Sequence, residues 1–372
     1  MKKLVLATVI IPVAVLAFSC GRERPSELDG QSTMTIYAVD TSGVTGDEWT
    51  PIVEATIRIH STTHEYKAVF LTNDEGRVVV ENLPAGRYII QAEKSNEEEN
   101  ILILGQMEKR IVYEPATLDT VFMRYITASP LVLNEVYYCG CSSSSFYYFD
   151  QFIELYNSSE DTLYLDGYIM CRGTQITGMV DFEEVDYAMG YYVYAFPGER
   201  GVTKYCPIPP KGFLVLAGDA LDHSHATYRP RCINLENADW EFFNSLHHDY
   251  DNPNVRNLEP ITTWGVDFSF NLSHAALWLA TGEEYTFDYH WDGYNDQLYC
   301  HVPLWTIIDG VEYSSNPDSE KYLTIRIDAG LGGNGMVKYS AQSIERRFPG
   351  LDSNNSTFDF EIVPTPTPGY QH

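Results

Sequence analysis

From residue 34 onward the apolar positions recur with a period of two. Ala55-Thr56-Ile57-Arg58-Ile59-His60 alternates apolar and polar side chains, and in an extended chain that pattern sends the two kinds to opposite faces. Runs rich in β-branched and aromatic residues repeat the signal at Met34–Val39, Val69–Leu71, Val78–Val80, Ile89–Ala92 and Leu118–Met123. Thr72-Asn73-Asp74-Glu75-Gly76-Arg77 supplies a turn, because Asn and Asp side chains bond nearby backbone and Gly accepts positive φ. Pro84 and Gly86 mark a second tight turn, with positive φ expected at Gly86. Strand patterns resume at Leu131–Val136, Phe152–Asn157, Leu163–Tyr168, Phe213–Ala217, Ala276–Leu279, Ile307–Tyr313 and Ser343–Arg347. The pattern predicts an all-β protein of two units, residues 31–127 and 128–372.

The first nineteen residues follow another rule. Lys2 and Lys3 precede fifteen uncharged, mostly apolar residues, Leu4 to Phe18, and then Ser19-Cys20-Gly21. This is the layout of a secretion signal with a lipoprotein cleavage site. The apolar run is too short to span a bilayer and Pro12 interrupts it. Residues 1–19 are expected to be removed, Cys20 to carry the lipid, and the polar residues 20–30 to act as a tether. The membrane is then reached through acyl chains. Arg22 and Arg24 interleave with Glu23, Glu27 and Asp29, so the tether does not tell which membrane face is served.

The formal net charge of −28, which becomes −30 once Lys2 and Lys3 are cleaved off, argues against nucleic acid as a partner. A hydrophobic content of 44% argues against disorder. Beyond Cys20 there are six cysteines, Cys139, Cys141, Cys171, Cys206, Cys232 and Cys300. In an exported chain an even number points to disulfides, with the pairing left open. Cys139 and Cys141 are too close to bridge each other, so each is expected to seek a distant partner.

Two family resemblances emerge from ordered motifs. Ala55-Thr56-Ile57, then Asn73-Asp74-Glu75-Gly76-Arg77, then Leu83-Pro84-Ala85-Gly86-Arg87-Tyr88 resembles the carboxypeptidase regulatory-like, or prealbumin-like, β-sandwich. That resemblance implies a spacer or docking module without catalytic residues. In some relatives a Lys–Asn bond forms. Lys67 is the available Lys, but Leu118–Met123 offers no Asn. Asn134-Glu135-Val136, Ile153-Glu154-Leu155-Tyr156-Asn157, Leu165-Asp166-Gly167-Tyr168, Ser343-Ile344-Glu345-Arg346 and Thr367-Pro368-Gly369 occur in the order of the lamin-tail domain. This implies an immunoglobulin-like sandwich, here enlarged by long insertions near 172–207, 218–265, 281–305 and 314–341. The combination is similar to uncharacterised Bacteroidota lipoproteins, which implies an outer-membrane address and no established activity.

Candidate chemistry is sparse. Glu135 and Glu154 have the composition of a glycosidase pair, but their place in strand motifs points to structure, with Glu154 expected to pair with Arg346. His223, His225, His247, His248 and Asp249 lie in one insertion and offer ligand types that suit zinc or another transition metal. Gly330-Leu331-Gly332-Gly333-Asn334-Gly335 matches the dinucleotide fingerprint in form, but no helical stripe follows it. Tyr147 and Tyr148, and Tyr191 and Tyr192, are the first candidates to meet a ligand, because exposed aromatic rings stack on sugars and anchor protein interfaces. The reading is a non-enzymatic, lipid-anchored envelope protein that presents a β-sandwich to protein or glycan and needs no cofactor, as an accessory to an outer-membrane transporter or adhesin. The alternative is a metal-binding protein or metal-dependent hydrolase built on residues 222–251.

Overall fold

The computed structural model describes residues 32–372 apart from 48, 62, 97–100, 112–115, 127, 142–146, 174–182, 226–230, 263–267 and 292–295. The leader, Cys20 and the tether lie outside the described residues. Almost all regular structure is strand, as the period-two pattern requires, and the fold is all-β. No helix among the described residues is long and apolar enough to cross a membrane.

The first eight strands are β1 (Ser32–Asp40), β2 (Thr50–Pro51), β3 (Thr56–Ser61), β4 (Lys67–Leu71), β5 (Arg77–Leu83), β6 (Gly86–Asn96), β7 (Ile101–Ile111) and β8 (Ala116–Ile126). They run in the order β2-β1-β8-β7-β6-β3-β4, with β5 added beside β1. Met34, Ile36 and Ala38 of β1 face Ile57 and Ile59 of β3 and Tyr88, Ile90 and Ala92 of β6 in one buried cluster. The Asn73 carboxamide accepts from the Glu75 and Arg77 amides, and Gly76 has φ +67°. At the second turn the expectation fails. Asn82, not Gly86, takes the positive φ of 59°. Gly86 is small for another reason, since a Cβ there would run into Thr63 and His64. Pro84 contributes its carbonyl, which accepts from the Tyr88 hydroxyl at 2.6 Å.

The remaining strands are β9 (Leu131–Tyr137), β10 (Phe152–Asn157), β11 (Leu163–Tyr164), β12 (Ile169–Gly173), β13 (Tyr187–Ala195), β14 (Pro207–Ile208), β15 (Phe213–Ala217) and β16 (Trp240–Glu241). After them come β17 (Arg256–Asn257), β18 (Glu259–Pro260), β19 (His274–Ala280), β20 (Thr286–Trp291), β21 (Asp296–Pro303), β22 (Ile307–Ser314), β23 (Ser343–Arg346) and β24 (Phe360–Val363). One sheet has the order β17-β16-β15-β10-β9-β23-β24 and the other β20-β21-β13-β12-β19-β22. Leu133, Phe152, Leu155 and Leu216 from the first pack with Met170, Tyr194, Leu277 and Val311 from the second. Much of the sequence expected to form loops is strand. β13, β20 and β21 lie in the inserted regions and widen the second sheet at one edge.

The N-terminal strands are joined to the rest by an apolar seam of Leu102, Leu104 and Ile126 against Phe348, Leu351 and Phe358. Polar links flank it. Gln91 donates to the Thr357 carbonyl at 3.1 Å, and Arg347 donates to the Gln91 carboxamide at 3.0 Å.

Candidate functional site

The second sheet ends in the hairpin β20–β21, and β20 is its edge strand. Tyr285-Thr286-Phe287-Asp288-Tyr289-His290-Trp291 places an aromatic residue at every second position. Alternate residues of a strand share a face, so Tyr285, Phe287, Tyr289 and Trp291 form one row. Tyr285 is held at its base against the cluster containing Trp278 and Cys300 and meets Phe287 edge to face at 6.0 Å. Beyond it the row is open, with Phe287 41%, Tyr289 65% and Trp291 45% exposed.

The other face of the hairpin is also aromatic. Tyr187 stacks on His301 with centroids 4.0 Å apart. The Nε2 atoms of His290 and His301 share a hydrogen bond of 2.8 Å. Burial pushes the His301 pKa below its usual value, His290 adds to this, and Asp288 opposes it. Tyr191 lies 5.7 Å from Tyr299 in this layer, on the face of the hairpin opposite the exposed row. Tyr192 turns the other way, with the Arg172 guanidinium 4.5 Å over its ring.

Tyr147 and Tyr148 occupy a different neighbourhood. The Tyr147 hydroxyl bonds His223 Nδ1 at 2.7 Å, and His223 Nε2 bonds the Asp219 carbonyl at 2.9 Å. Tyr148 stacks on Phe149 at 4.7 Å. With both ring nitrogens of His223 engaged, the proposed histidine metal site loses its buried member. His247 and His248 are exposed on a turn, the Asp249 carboxylate accepts from the Asn244 amide at 2.7 Å, and the His225 side chain lies outside the described residues. Among the described residues one group of three possible ligands comes together, Cys141, Asp150 and Cys232, and none of the four histidines belongs to it.

Cys141 and Cys232 are instead joined in a disulfide, so their sulfurs are not open to a metal. The expectation of a distant partner holds for Cys141 and fails for Cys139. Cys139, Cys171, Cys206 and Cys300 are unpaired and buried. The Cys139 thiol donates to the Gln342 carbonyl at 3.0 Å and the Cys206 thiol to the Pro197 carbonyl at 3.2 Å, which satisfies each locally. Burial pushes the Cys300 and Cys206 thiols up to about 12, so they stay protonated near neutral pH. The one bridge closes a sequence separation of 91 residues. Replacing Cys232 by Ser is expected to remove about 2–4 kcal/mol of stability. The melting temperature of the parent should fall on addition of dithiothreitol, and that of the variant should already be low and unresponsive.

The acidic motifs also resolve. Glu135 and Glu154 sit opposite each other on β9 and β10, and Glu345 on β23 lies opposite Glu135. Glu135 and Glu154 are fully buried and Glu345 nearly so. No cleft separates them, and a glycosidase pair needs room for a sugar between its carboxyl groups. The expected Glu154–Arg346 pair is absent. Arg346 pairs with Asp309 at 2.9 Å, Asp359 at 3.2 Å and Asp352 at 3.4 Å. In the glycine run, Gly333 and Gly335 have φ of +71° and +82°, and a turn follows where a dinucleotide site needs a helix.

A cleft of about 690 Å³ opens where β3, β4 and β6 meet the 331–335 loop and β23–β24. Arg58, His60, Lys67, Arg347 and Glu361 are its charged and titratable lining. Sequence reading missed this cleft, because its halves are almost three hundred residues apart. It also missed the aromatic row of β20, although the alternation from Tyr285 to Trp291 carried that signal.

The architecture is thus an all-β sandwich extended by a projecting aromatic hairpin. Residues 210–367 match the family described as a protein of unknown function, DUF4876. The crystal structure of a DUF4876 family protein from Bacteroides thetaiotaomicron is similar in fold, with a TM-score of 0.53 at 21% identity, covering 88% of this chain and 94% of that one. A candidate carbohydrate binding protein from Pseudomonas aeruginosa covers 26% of this chain and 90% of its own, at 12% identity and a TM-score of 0.19. The major pilin SpaD from Corynebacterium diphtheriae covers 44% and 50%, at 10% identity and a TM-score of 0.21. Likeness at the level of these last two carries no argument about fold or function. No curated protein matches the chain.

Proposed function

We propose that the protein is a non-enzymatic, lipid-anchored envelope protein that binds glycan along the aromatic row of β20. Lipid on Cys20 would hold the chain at the outer membrane, and the prealbumin-like N-terminal strands would act as a spacer below an enlarged lamin-tail-like sandwich. The observation that supports binding is the row itself. Phe287, Tyr289 and Trp291 leave large ring surfaces in water on an edge strand, where apolar surface and unpaired backbone favour a partner. Residues two apart on a strand are roughly 6.6 Å apart, so the rings form a narrow line that suits a chain-like ligand with apolar ring faces. Asp296, directly opposite Trp291 on β21, stands on the same face as a hydrogen-bonding group for hydroxyls. The insertion histidines, scattered or internally engaged, give no comparable support to a metal-dependent hydrolase.

A glycan array probed with the mature chain tests this reading. Tyr289→Ala and Trp291→Ala are each expected to weaken binding about tenfold, on the order of 1.4 kcal/mol, with no loss of melting temperature because both side chains are exposed. An array on which nothing is retained, together with capture of a protein partner whose binding needs the same two residues, would replace glycan by protein. Retention that both variants leave unchanged would remove the row from the site.

A further inference from the structure

The cleft between the N-terminal strands and β23–β24 reverses the charge of the chain around it. The sequence carries 52 acidic against 24 basic residues. The lining of the cleft contains Arg58, Lys67 and Arg347, the imidazole of His60, and a single acid, Glu361. The topology puts them together. Arg58 and His60 alternate on the outward face of β3, behind Ile57 and Ile59, which enter the core. Lys67 stands directly opposite His60 on β4. Arg347 follows β23 and reaches across to the same sheet, where its Nη2 donates to Gln91 at 3.0 Å.

These cations are not equally spent. Arg58 pairs with Glu93 at 2.9 Å. Among the described residues Arg347 makes no ion pair, although Glu361, Glu93 and Asp359 stand near enough to favour its charge against burial. Lys67 is exposed at the mouth and makes no ion pair among the described residues. Lys67 and Arg347 together set up a positive potential that His60 registers: after burial, these two charges are what push its pKa below the usual imidazole value. Ile89, Val69 and Phe360 give the same cleft apolar surface. A volume of about 690 Å³ lies in the range of small-molecule sites, which favour interfaces between folding units.

We infer that this cleft is a binding site for a small organic anion, a molecule of monosaccharide size that carries a carboxylate, sulfate or phosphate group. Arg347 holds the oxyanion at the buried end by its charge, Lys67 closes over it from the mouth, and the apolar surfaces of Ile89 and Phe360 receive the carbon skeleton. Glu361 excludes ligands with a second negative charge on the β24 side. The site is independent of the aromatic row on β20.

Isothermal titration calorimetry of the mature chain with glucuronate, sulfate and inorganic phosphate, and with glucose as the neutral control, tests the assignment and separates the three sources of oxyanion. At least one of the anions should bind with one-to-one stoichiometry while glucose does not. Lys67→Gln and Arg347→Gln should each weaken that binding tenfold or more, and Tyr289→Ala should leave it unchanged. Arg347 also joins the two units. If its variant fails to fold, Lys67→Gln decides alone, because that side chain is exposed. Failure of all three anions to bind at millimolar concentration overturns the inference, and so does binding that Lys67→Gln does not weaken.

Discussion

Arg346→Met should cost about 3–5 kcal/mol of unfolding free energy, the usual penalty for removing one partner of a buried ion pair. The side chain is 1% exposed. Its guanidinium donates to the carbonyls of Leu133 at 3.0 Å and Leu351 at 2.8 Å and pairs with Asp309, Asp352 and Asp359. These groups belong to β9 of one sheet, β22 of the other, and the segment before β24. One planar fork thus joins both sheets and the C-terminal region. A Met fills the volume but leaves Asp309 and Asp359 buried without their cation. Burial already pushes both carboxyls above the ordinary range, and Arg346 opposes that push. Without the arginine they must take up protons or unfold the region. Arg346→Lys should fall between, since an ammonium cannot reproduce the fork. Urea unfolding measures the effect. The control is Arg200→Met, which breaks an exposed pair with Glu283 and should cost no more than about 0.5 kcal/mol. Equal losses in the two variants would show that Arg346 is an ordinary surface charge in solution.

The Ser-x-Glu-Arg motif that contains Arg346 was visible in the sequence, but its partners were not. The same contrast runs through the molecule. Strands at 32–40 and 56–61 follow from alternation, because one face of their sheet is buried, whereas those at 131–137 and 152–157 are buried on both faces and are marked by β-branched and aromatic content. β7 at 101–111 escaped notice, because its apolar run Ile101-Leu102-Ile103-Leu104 gives way to Gly105-Gln106-Met107-Glu108-Lys109, which has no clear period. Gly105 is there because β8 passes close, and a Cβ would strike the Phe122 backbone, a constraint that no local pattern encodes. Asn157 ends its strand pattern, and its carboxamide caps the turn that follows by donating to the Asp161, Ile208 and Pro209 carbonyls at 2.8, 3.1 and 3.0 Å. Cysteine parity, by contrast, misled. Parity counts thiols, whereas pairing needs their backbones brought within bridging distance, and a buried thiol can be satisfied by one carbonyl, as at Cys139 and Cys206. The tyrosine pairs were chosen for density along the chain. Exposure is set by which edge of which sheet a strand occupies, so an exposed aromatic row lies on β20 instead.

Stability is expected to fall as pH rises from 5 to 8, and the row Glu154–Glu135–Glu345 is the main cause. Like charges directly opposite on paired strands repel, and all three carboxyls are withdrawn from water. The C-terminal segment is what makes the row tolerable. The Thr367 amide donates to both oxygens of Glu135 at 3.1 Å, the Gly369 amide to Glu154 at 2.6 Å, and the His372 amide to Glu345 at 2.9 Å. The Thr-Pro-Gly motif is therefore a clamp over the glutamates, and Ser343 donates to Glu135 from the next strand. The donors do not cancel the cost of burial, which pushes Glu135 up to about 7 and Glu154 up to about 8 from 4.5. Between those limits the native chain holds protons that the unfolded chain has released. The stabilisation is complete below about pH 4.5 and is lost as pH rises through 7 and 8, at up to about 1.4 kcal/mol per pH unit for each group. Glu345, Asp309 and Asp359, also raised by burial, act in the same sense. His60 and His301, whose pKa values burial lowers, act in the opposite sense, chiefly below pH 6.5. Glu154→Gln keeps the shape and an acceptor for Gly369 and removes one titration. Its stability should change less with pH than the parent's, and above pH 8 it should exceed the parent's because no charge remains to be buried there. Urea unfolding at pH 5, 6.5 and 8 compares the two chains. A parent whose stability is flat or rises over that range, or a variant with the parent's slope, would mean that the clamp holds ionised carboxylates without penalty and that the glutamates do not titrate in the folded protein.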